Sequence, residues 1–446
     1  MPNTTTLLQP FAEAFPNSAT PQVCRAPGRV NLIGEHTDYN GLPVLPMTLT
    51  QAIQVAFAPR AESEICLRNR NAGFAEAVFS NALDIDPSPA GAWENYCKAA
   101  VQGINEAFEL DGYPGMDMLV DSDLPMGAGL SSSSALVVAC ALAYLDVLGI
   151  ELGEEITRLE LAELLADAEH YVGTRGGGMD QGVILNGAAE HACKLDFFPL
   201  RVERAPLPED CAIVVCDSMI EAQKTGGALH RYNAGPRLCA LACALVERRA
   251  QEEFGEELTL ERLGDLWYGA LCLRHAEAEA LCLEAVPEPR MSLDAVAERL
   301  DCRPAEVREQ WLGDLPEPDE GFPIAARLRH QLTEYRRVED ARDALLAGDA
   351  QLFGTLMDAS HASCAQDFEI SGPELDALVE AARASGALGA RLTGAGFGGA
   401  TVNLVPRDIC DTFVGEITDR YYRDYLGIQG APPVFVARAS DAAGVV

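Results

Sequence analysis

The stretch LPMGAGLSSSSALVVACALAYL, Leu124–Leu145, decides most of what this chain can become. A loop carrying Gly127 and Gly129 leads into four consecutive serines, Ser131–Ser134, and then into an almost wholly apolar run. The serines read as a helix start, and the run from Ser131 to Leu148 predicts a helix buried on most sides. The N-terminus of a helix offers unpaired N–H donors and a partial positive charge, so a Gly-rich loop feeding it is a ready anion site. No Lys-Ser or Lys-Thr pair follows the glycines, which excludes a Walker loop, and the spacing is not that of a dinucleotide fingerprint. A plain serine N-cap would also place Gly and Ser here. Four serines behind two glycines exceed what one cap needs, which favours phosphate.

The surrounding chain alternates α and β patterns without repeats. Val23–Gly34 and Ala52–Pro59 read as early strands, Trp93–Leu110 as a helix, Met116–Val120 as a strand, and Ile156–Tyr171 as an amphipathic helix. Cys211–Ser218 reads as a buried strand. From Arg237 to about Ala384 the pattern is mostly helical, broken by the Pro- and acid-rich Asp314–Pro323. Gly389–Val405 reads as strand, Gly-rich turn, strand, followed by a helix over Asp408–Tyr422 and a last strand in Pro432–Ser440. A boundary near Pro206 divides residues 1–205 from residues 206–446. No flexible linker marks it, so the two parts are expected to pack tightly.

Composition limits the partners. With 446 residues, 48% hydrophobic and 23% charged, the chain is long enough for two or three folded domains. Its 33 Lys+Arg against 68 Asp+Glu leave a net charge of −35. Such a surface repels nucleic acid and anionic membranes. A phosphate ligand must then be held by local dipoles, which is what Leu124–Leu145 supplies. No apolar run approaches the roughly 20 residues of a bilayer span, and the first residues lack a signal-peptide pattern. The 14 cysteines form no CxxC pair, and the 7 histidines show no metal-ligand spacing. Reduced, core-filling thiols in a cytoplasmic protein are expected. His230 and His361 are assigned no role.

Three further stretches concentrate chemistry. GRVNLIGEHTDYNGLPVLP, Gly28–Pro46, crowds Arg29, Glu35, His36 and Asp38 beside strands, a mixture suited either to a polyhydroxylated ligand or to a solvated loop. EHYVGTRGGGMDQ, Glu169–Gln181, places Asp180 after three glycines, where it serves as a general base or as a helix cap. RLTGAGFGGATV, Arg391–Val402, holds Gly394, Gly396, Gly398 and Gly399, a density that fits a tight hairpin or close approach to a ligand.

Together these stretches resemble the GHMP small-molecule kinases and, within them, the galactokinases. Gly28–Pro46 is similar to the galactokinase signature, Leu124–Leu136 to the shared phosphate loop, and Arg391–Val402 to the third glycine motif. The similarity runs on through Ser360–Ala382 and covers nearly the whole chain. It implies an α+β, two-domain fold: an N-terminal mixed-sheet α/β domain, a C-terminal antiparallel sheet covered by helices, and an active site in the cleft between them. It further implies that the strand around Val434–Arg438 returns to the N-terminal domain.

The resemblance also implies roles. Glu35, His36 and Asp38 would hold sugar hydroxyls, with Gly177 and Tyr232 lining the same pocket. Asp180 would face the C1 hydroxyl with Arg29 beside it. Gly127, Ala128, Gly129, Leu130, Ser131, Ser132 and Ser133 would wrap the phosphates of ATP, and Ser133 and Glu169 would ligate Mg²⁺. The expected reaction is phosphoryl transfer from ATP to galactose by a monomeric enzyme. GTRGGGMDQ and IEAQKTGGALHRYN look more like the branch that joins eukaryotic-type galactokinases and N-acetylgalactosamine kinases. The hydroxyl of Tyr232, where the latter tend to carry an apolar ring, favours galactose. Some relatives are sugar sensors without useful kinase activity. The unbroken GLSSSSAL, with Arg29, Glu169 and Asp180 present, argues for catalysis.

Overall fold

The computed structural model describes residues 5–125, 129–173, 176–220 and 227–446, with side chains from Leu7 in the first segment and from Ala234 in the last. Strands β1 (Gln22–Asn31), β2 (Pro46–Arg60), β3 (Glu64–Asn69), β4 (Ala77–Ser80) and β5 (Gly115–Ser122) come first. A hairpin of β6 (His191–Asp196) and β7 (Arg201–Pro206) follows, then β8 (Cys211–Asp217). After a long helical region come β9 (Gly389–Thr393), β10 (Ala400–Pro406), β11 (Val434–Ala437) and β12 (Gly444–Val445). The larger sheet has the order β12-β1-β2-β5-β3-β4 and is mixed, because β3 runs parallel to β5 while its other pairs are antiparallel. The second sheet, β11-β8-β10-β9, is antiparallel throughout.

Side-chain alternation covers both sheets on both faces. Val55 and Phe57 of β2 enter the main core beneath the Ser132–Leu148 helix, while Ala56 and Ala58 pack with Leu7 and Phe11 of the Thr5–Ala14 helix. In β8, Ile213 and Val215 join that same core, while Val214 and Cys216 face the Pro373–Ala384 and Cys410–Ile417 helices. One continuous apolar core therefore runs from the first sheet to the second, which accounts for the lack of a linker. A separate apolar cluster holds the helical region between Leu238 and Leu332. All fourteen cysteines are free thiols. Among the described residues, no helix is long and apolar enough to cross a membrane.

The chain's end departs from expectation. Val434–Ala437 stays in the second sheet, paired with β8 from Val434↔Cys216 to Ala437↔Ile213. The return to the first sheet comes later: the Arg438 carbonyl accepts from Thr50, and Gly444–Val445 pairs with β1. The apolar pattern of Pro432–Ser440 marks a strand but cannot say which open edge it takes. Ala443, 1% exposed, is held by its N–H to the Ile184 carbonyl, and its own carbonyl accepts from Arg158. Deleting residues 442–446 removes these bonds and the edge pairing of β1. A loss of about 1–3 kcal/mol is expected, read as a Tm lower by a few degrees in thermal unfolding.

Candidate active site

The register of β1 against β2 shifts between Pro27 and Arg29. The irregularity falls at Gly28, where a Cβ would lie 2.3 Å from Leu124 Cδ2 and 3.0 Å from the Leu130 carbonyl oxygen. Such a bulge re-aims the next side chain. Arg29, 6% exposed, turns towards the serine helix and donates from Nε to Asp180 Oδ1 at 2.6 Å and from Nη2 to Oδ2 at 3.1 Å. Its Nη1 donates to the Gly129 carbonyl at 2.6 Å. Burial pulls against the guanidinium charge, but the Asp180 carboxylate, together with Glu35 and Asp38, holds Arg29 above its usual pKa.

Asp180 lies in the first turn of the Met179–Asn186 helix, behind Gly178 at φ 93°. Besides Arg29, its carboxylate accepts from the Ser131 hydroxyl and, at 3.4 Å, from Ser134. Ser131 stands at φ 56°, in the left-handed region, so the helix expected from Ser131 begins at Ser132. A tertiary partner, Asp180, thus takes the hydroxyl that local reasoning assigned to a cap.

Asp38, His36, Glu35, Glu169, Ala395 and the Arg29–Asp180 pair line one recess. The Gly177 N–H donates to Asp38 Oδ2 at 3.1 Å, and a Cβ at 177 would come within 2.3 Å of the Asp38 and Tyr39 backbones. No larger residue fits that approach. Loss of hydration, with the Asp180 and Glu35 charges adding to it, pushes Asp38 up to about 6, against the N–H groups of Tyr39 and Gly177. Glu35 is 2% exposed; its Oε1 accepts from the Gly394 N–H at 2.8 Å and faces Arg391 at 3.3 Å. His36 stacks on Phe368 with centroids 4.9 Å apart, and its Nε2 lies 3.2 Å from the Ala395 carbonyl.

A second recess is lined by Gly129, Leu130, Ser131, Ser132 and Ser133 together with Thr393, Gly398 and Gly399. The two recesses share Arg29, Asp180 and Ala395. Of the expected phosphate-loop residues, Gly127 and Ala128 lie outside the described residues, as does the side chain of Tyr232. Glu169 accepts from Ser134 at 3.1 Å on both oxygens and also from the Gln181 amide. Ser134 is therefore the serine bonded to Glu169, while Ser133 lines the adjoining recess. Among the described residues, no group of three His, Cys, Asp or Glu could hold a metal by itself. Carboxylate and hydroxyl oxygens beside this recess do fit a hard cation that would draw its remaining ligands from phosphate and water.

Three family models match the chain: the galactokinase galactose-binding signature over residues 9–59, the N-terminal domain of GHMP kinases over 95–188 and their C-terminal domain over 341–409. A galactokinase of Roseiflexus sp. (strain RS-1) is 37% identical, across 95% of this chain and 93% of that protein. One from Dictyostelium discoideum is 32% identical, across 90% and 84%. The chain belongs to the galactokinase family. Among solved structures, Lactococcus lactis galactokinase complexed with galactose superposes with a TM-score of 0.76 at 28% identity, covering 99% of both chains. A mevalonate kinase from Methanococcus jannaschii, at 16% identity, 95% and 99% coverage and a TM-score of 0.56, shares the fold. The two-domain GHMP kinase fold and the sugar-kinase class follow from these matches.

Sequence reading missed Arg391, Thr393, His330 and Gln331, which tie Asn31, Glu35 and His36 of the signature to the second sheet and the Ile324–Ala347 helix. A signal was there for Arg391, a charge inside an otherwise apolar strand. Asp38 offers a test of the recess. A carboxyl whose folded pKa is raised contributes stability at low pH and loses it as pH rises through about 6. Asp38→Asn, neutral throughout, is expected to exceed the wild-type Tm at pH 7.5, with the gap closing towards pH 4. The same variant is expected to bind sugar more weakly at pH 7.5, as measured by calorimetry.

Proposed function

We propose that this galactokinase-family enzyme transfers the γ-phosphoryl group of ATP to the C1 hydroxyl of galactose, yielding galactose 1-phosphate and ADP in the cytoplasm. The observation that carries the reading is the meeting of two recesses at one ion pair, Arg29–Asp180. The sugar would occupy the recess of Glu35, His36, Asp38 and Gly177, with Tyr232 completing it. The ATP phosphates would lie in the recess entered by the Ser132–Leu148 helix, wrapped by the backbone from Gly127 to Ser133. Residues 1–205 and 206–446 would be the two domains.

Each side chain then has a defined task. Asp180 accepts from the C1 hydroxyl and aims that oxygen at the γ-phosphorus. Arg29 holds the Asp180 carboxylate in place and meets negative charge that develops during transfer. The new bond forms between the C1 oxygen and the γ-phosphorus as the hydroxyl proton passes to the Asp180 carboxylate, while the bond from the γ-phosphorus to the β–γ bridging oxygen breaks and ADP departs. Because the transition state is loose, positioning and electrostatics do most of the catalytic work. Ser133 and Glu169 would hold Mg²⁺, which when bound neutralises phosphate charge.

ADP release with ATP and Mg²⁺, compared across galactose, N-acetylgalactosamine and glucose, tests the proposal. Galactose is expected to be preferred. Preference for the acetamido sugar would reassign the C2 pocket, and binding of galactose and ATP without turnover on any sugar would contradict catalysis. Asp180→Asn is expected to lower kcat by about 10²–10⁴-fold while ATP binding, followed by calorimetry, persists.

A further inference from the structure

We infer that Arg391 is a positioning residue that sets the sugar end of the site by acting through Glu35; this rests on the reading of the site given above. Arg391 stands in β9 and, at 0% exposure, is the largest fully buried side chain among the described residues. Its Nη1 donates to the Asn31 carbonyl at 3.2 Å and reaches Glu35 Oε1 at 3.3 Å. The same Oε1 accepts from the Gly394 N–H at 2.8 Å. Two groups of one hairpin thus clamp one oxygen of Glu35. Among the described residues Oε2 has no hydrogen bond, and it is the oxygen left for the recess that Glu35 lines.

The guanidinium is poorly explained as a stability device. Burying two charges costs more than an apolar pair of similar volume, and such pairs are best attested where they fix a geometry. The geometry here lies on the shared wall of the site. Gly394 and Ala395 lie three and four positions after Arg391, and the Ala395 carbonyl meets His36 at 3.2 Å. Thr393, between them, exchanges hydrogen bonds with Asn31 at 2.9 and 3.1 Å. Both bonds leave one nitrogen, Nη1, at the tip of the planar guanidinium fork, and a lysine ammonium ends one bond short of that tip. The nucleotide loop is anchored separately, through Arg29 to the Gly129 carbonyl.

Arg391→Lys keeps the charge and removes the fork. Its KM and calorimetric Kd for galactose are expected to rise at least about tenfold, with KM for ATP changed by less than about threefold. A destabilising control far from the site, Val296→Ala in the helical cluster, should lower Tm and leave both KM values alone. Because Arg391 acts through Glu35, Arg391→Met/Glu35→Gln should bind galactose no more weakly than Glu35→Gln alone. Folded Arg391→Lys with wild-type galactose binding would overturn the inference, as would galactose and ATP KM values rising together. If Arg391→Lys does not fold, the double variant decides by the same comparison. Failure of both to fold, with Glu35→Gln normal in folding and turnover, would assign Arg391 to stability and overturn the positioning role. A wild-type protein without turnover would contradict the functional proposal, while the galactose Kd of Arg391→Lys would still test Arg391.

Discussion

The ion pair between Arg29 and Asp180, separated by 151 positions in sequence, joins distant parts of the chain. Arg29 comes from the bulged end of β1, Asp180 from a short helix behind a run of glycines, and both touch the serine loop through Gly129 and Ser131. Three pieces of chain with no local reason to associate are thereby held within hydrogen-bond reach. Gly28 lets β1 approach Leu130 of the serine loop and Gly177 lets its segment approach Asp38, since a Cβ at either would collide with neighbouring atoms. The charges hold because each answers the other: the guanidinium loses hydration but gains a carboxylate at 2.6 Å.

A chain with a net charge of −35 poses an electrostatic problem for a phosphate-transferring enzyme. The structure meets it locally. The recess proposed for phosphate is built from backbone and hydroxyl groups at a helix N-terminus, and Arg29 lines it. Fixed dipoles of this kind need no basic surface, so the acidic exterior and an anionic substrate can coexist. The recess proposed for the sugar works in the opposite sense. Its carboxylates crowd together, and Asp38 is pushed up to about 6, first by loss of hydration and then by its acidic neighbours.

Much of this was legible in the sequence wherever the signal was local. The apolar run behind Ser131–Ser134 marked the buried helix, and the glycine cluster of Gly394–Gly399 marked the turn between β9 and β10. The galactokinase signature brought Arg29, Glu35, His36 and Asp38 to one wall, which family membership explains better than composition. What stayed hidden depends on distant partners. Ser131 gives its hydroxyl to Asp180, 49 positions away, and Val434–Ala437 pairs with β8 although its apolar pattern carries no label for that edge. The short strands β3 and β7, EICLRN and RVERAP, mix charge with apolar residues at lengths where periodicity says little. Arg391 was missed because a glycine motif draws attention to its turn and away from the strand that enters it.

The proposed chemistry requires Arg29 and Asp180 to work as one unit at the junction of two recesses. A double-mutant cycle on kcat, comparing Arg29→Met, Asp180→Asn and the double variant under saturating ATP and galactose, tests it most directly. The account requires the double variant to be about as slow as the slower single variant, since removing either partner disables the pair. Losses that multiply independently would contradict it, and would place the two residues in separate roles.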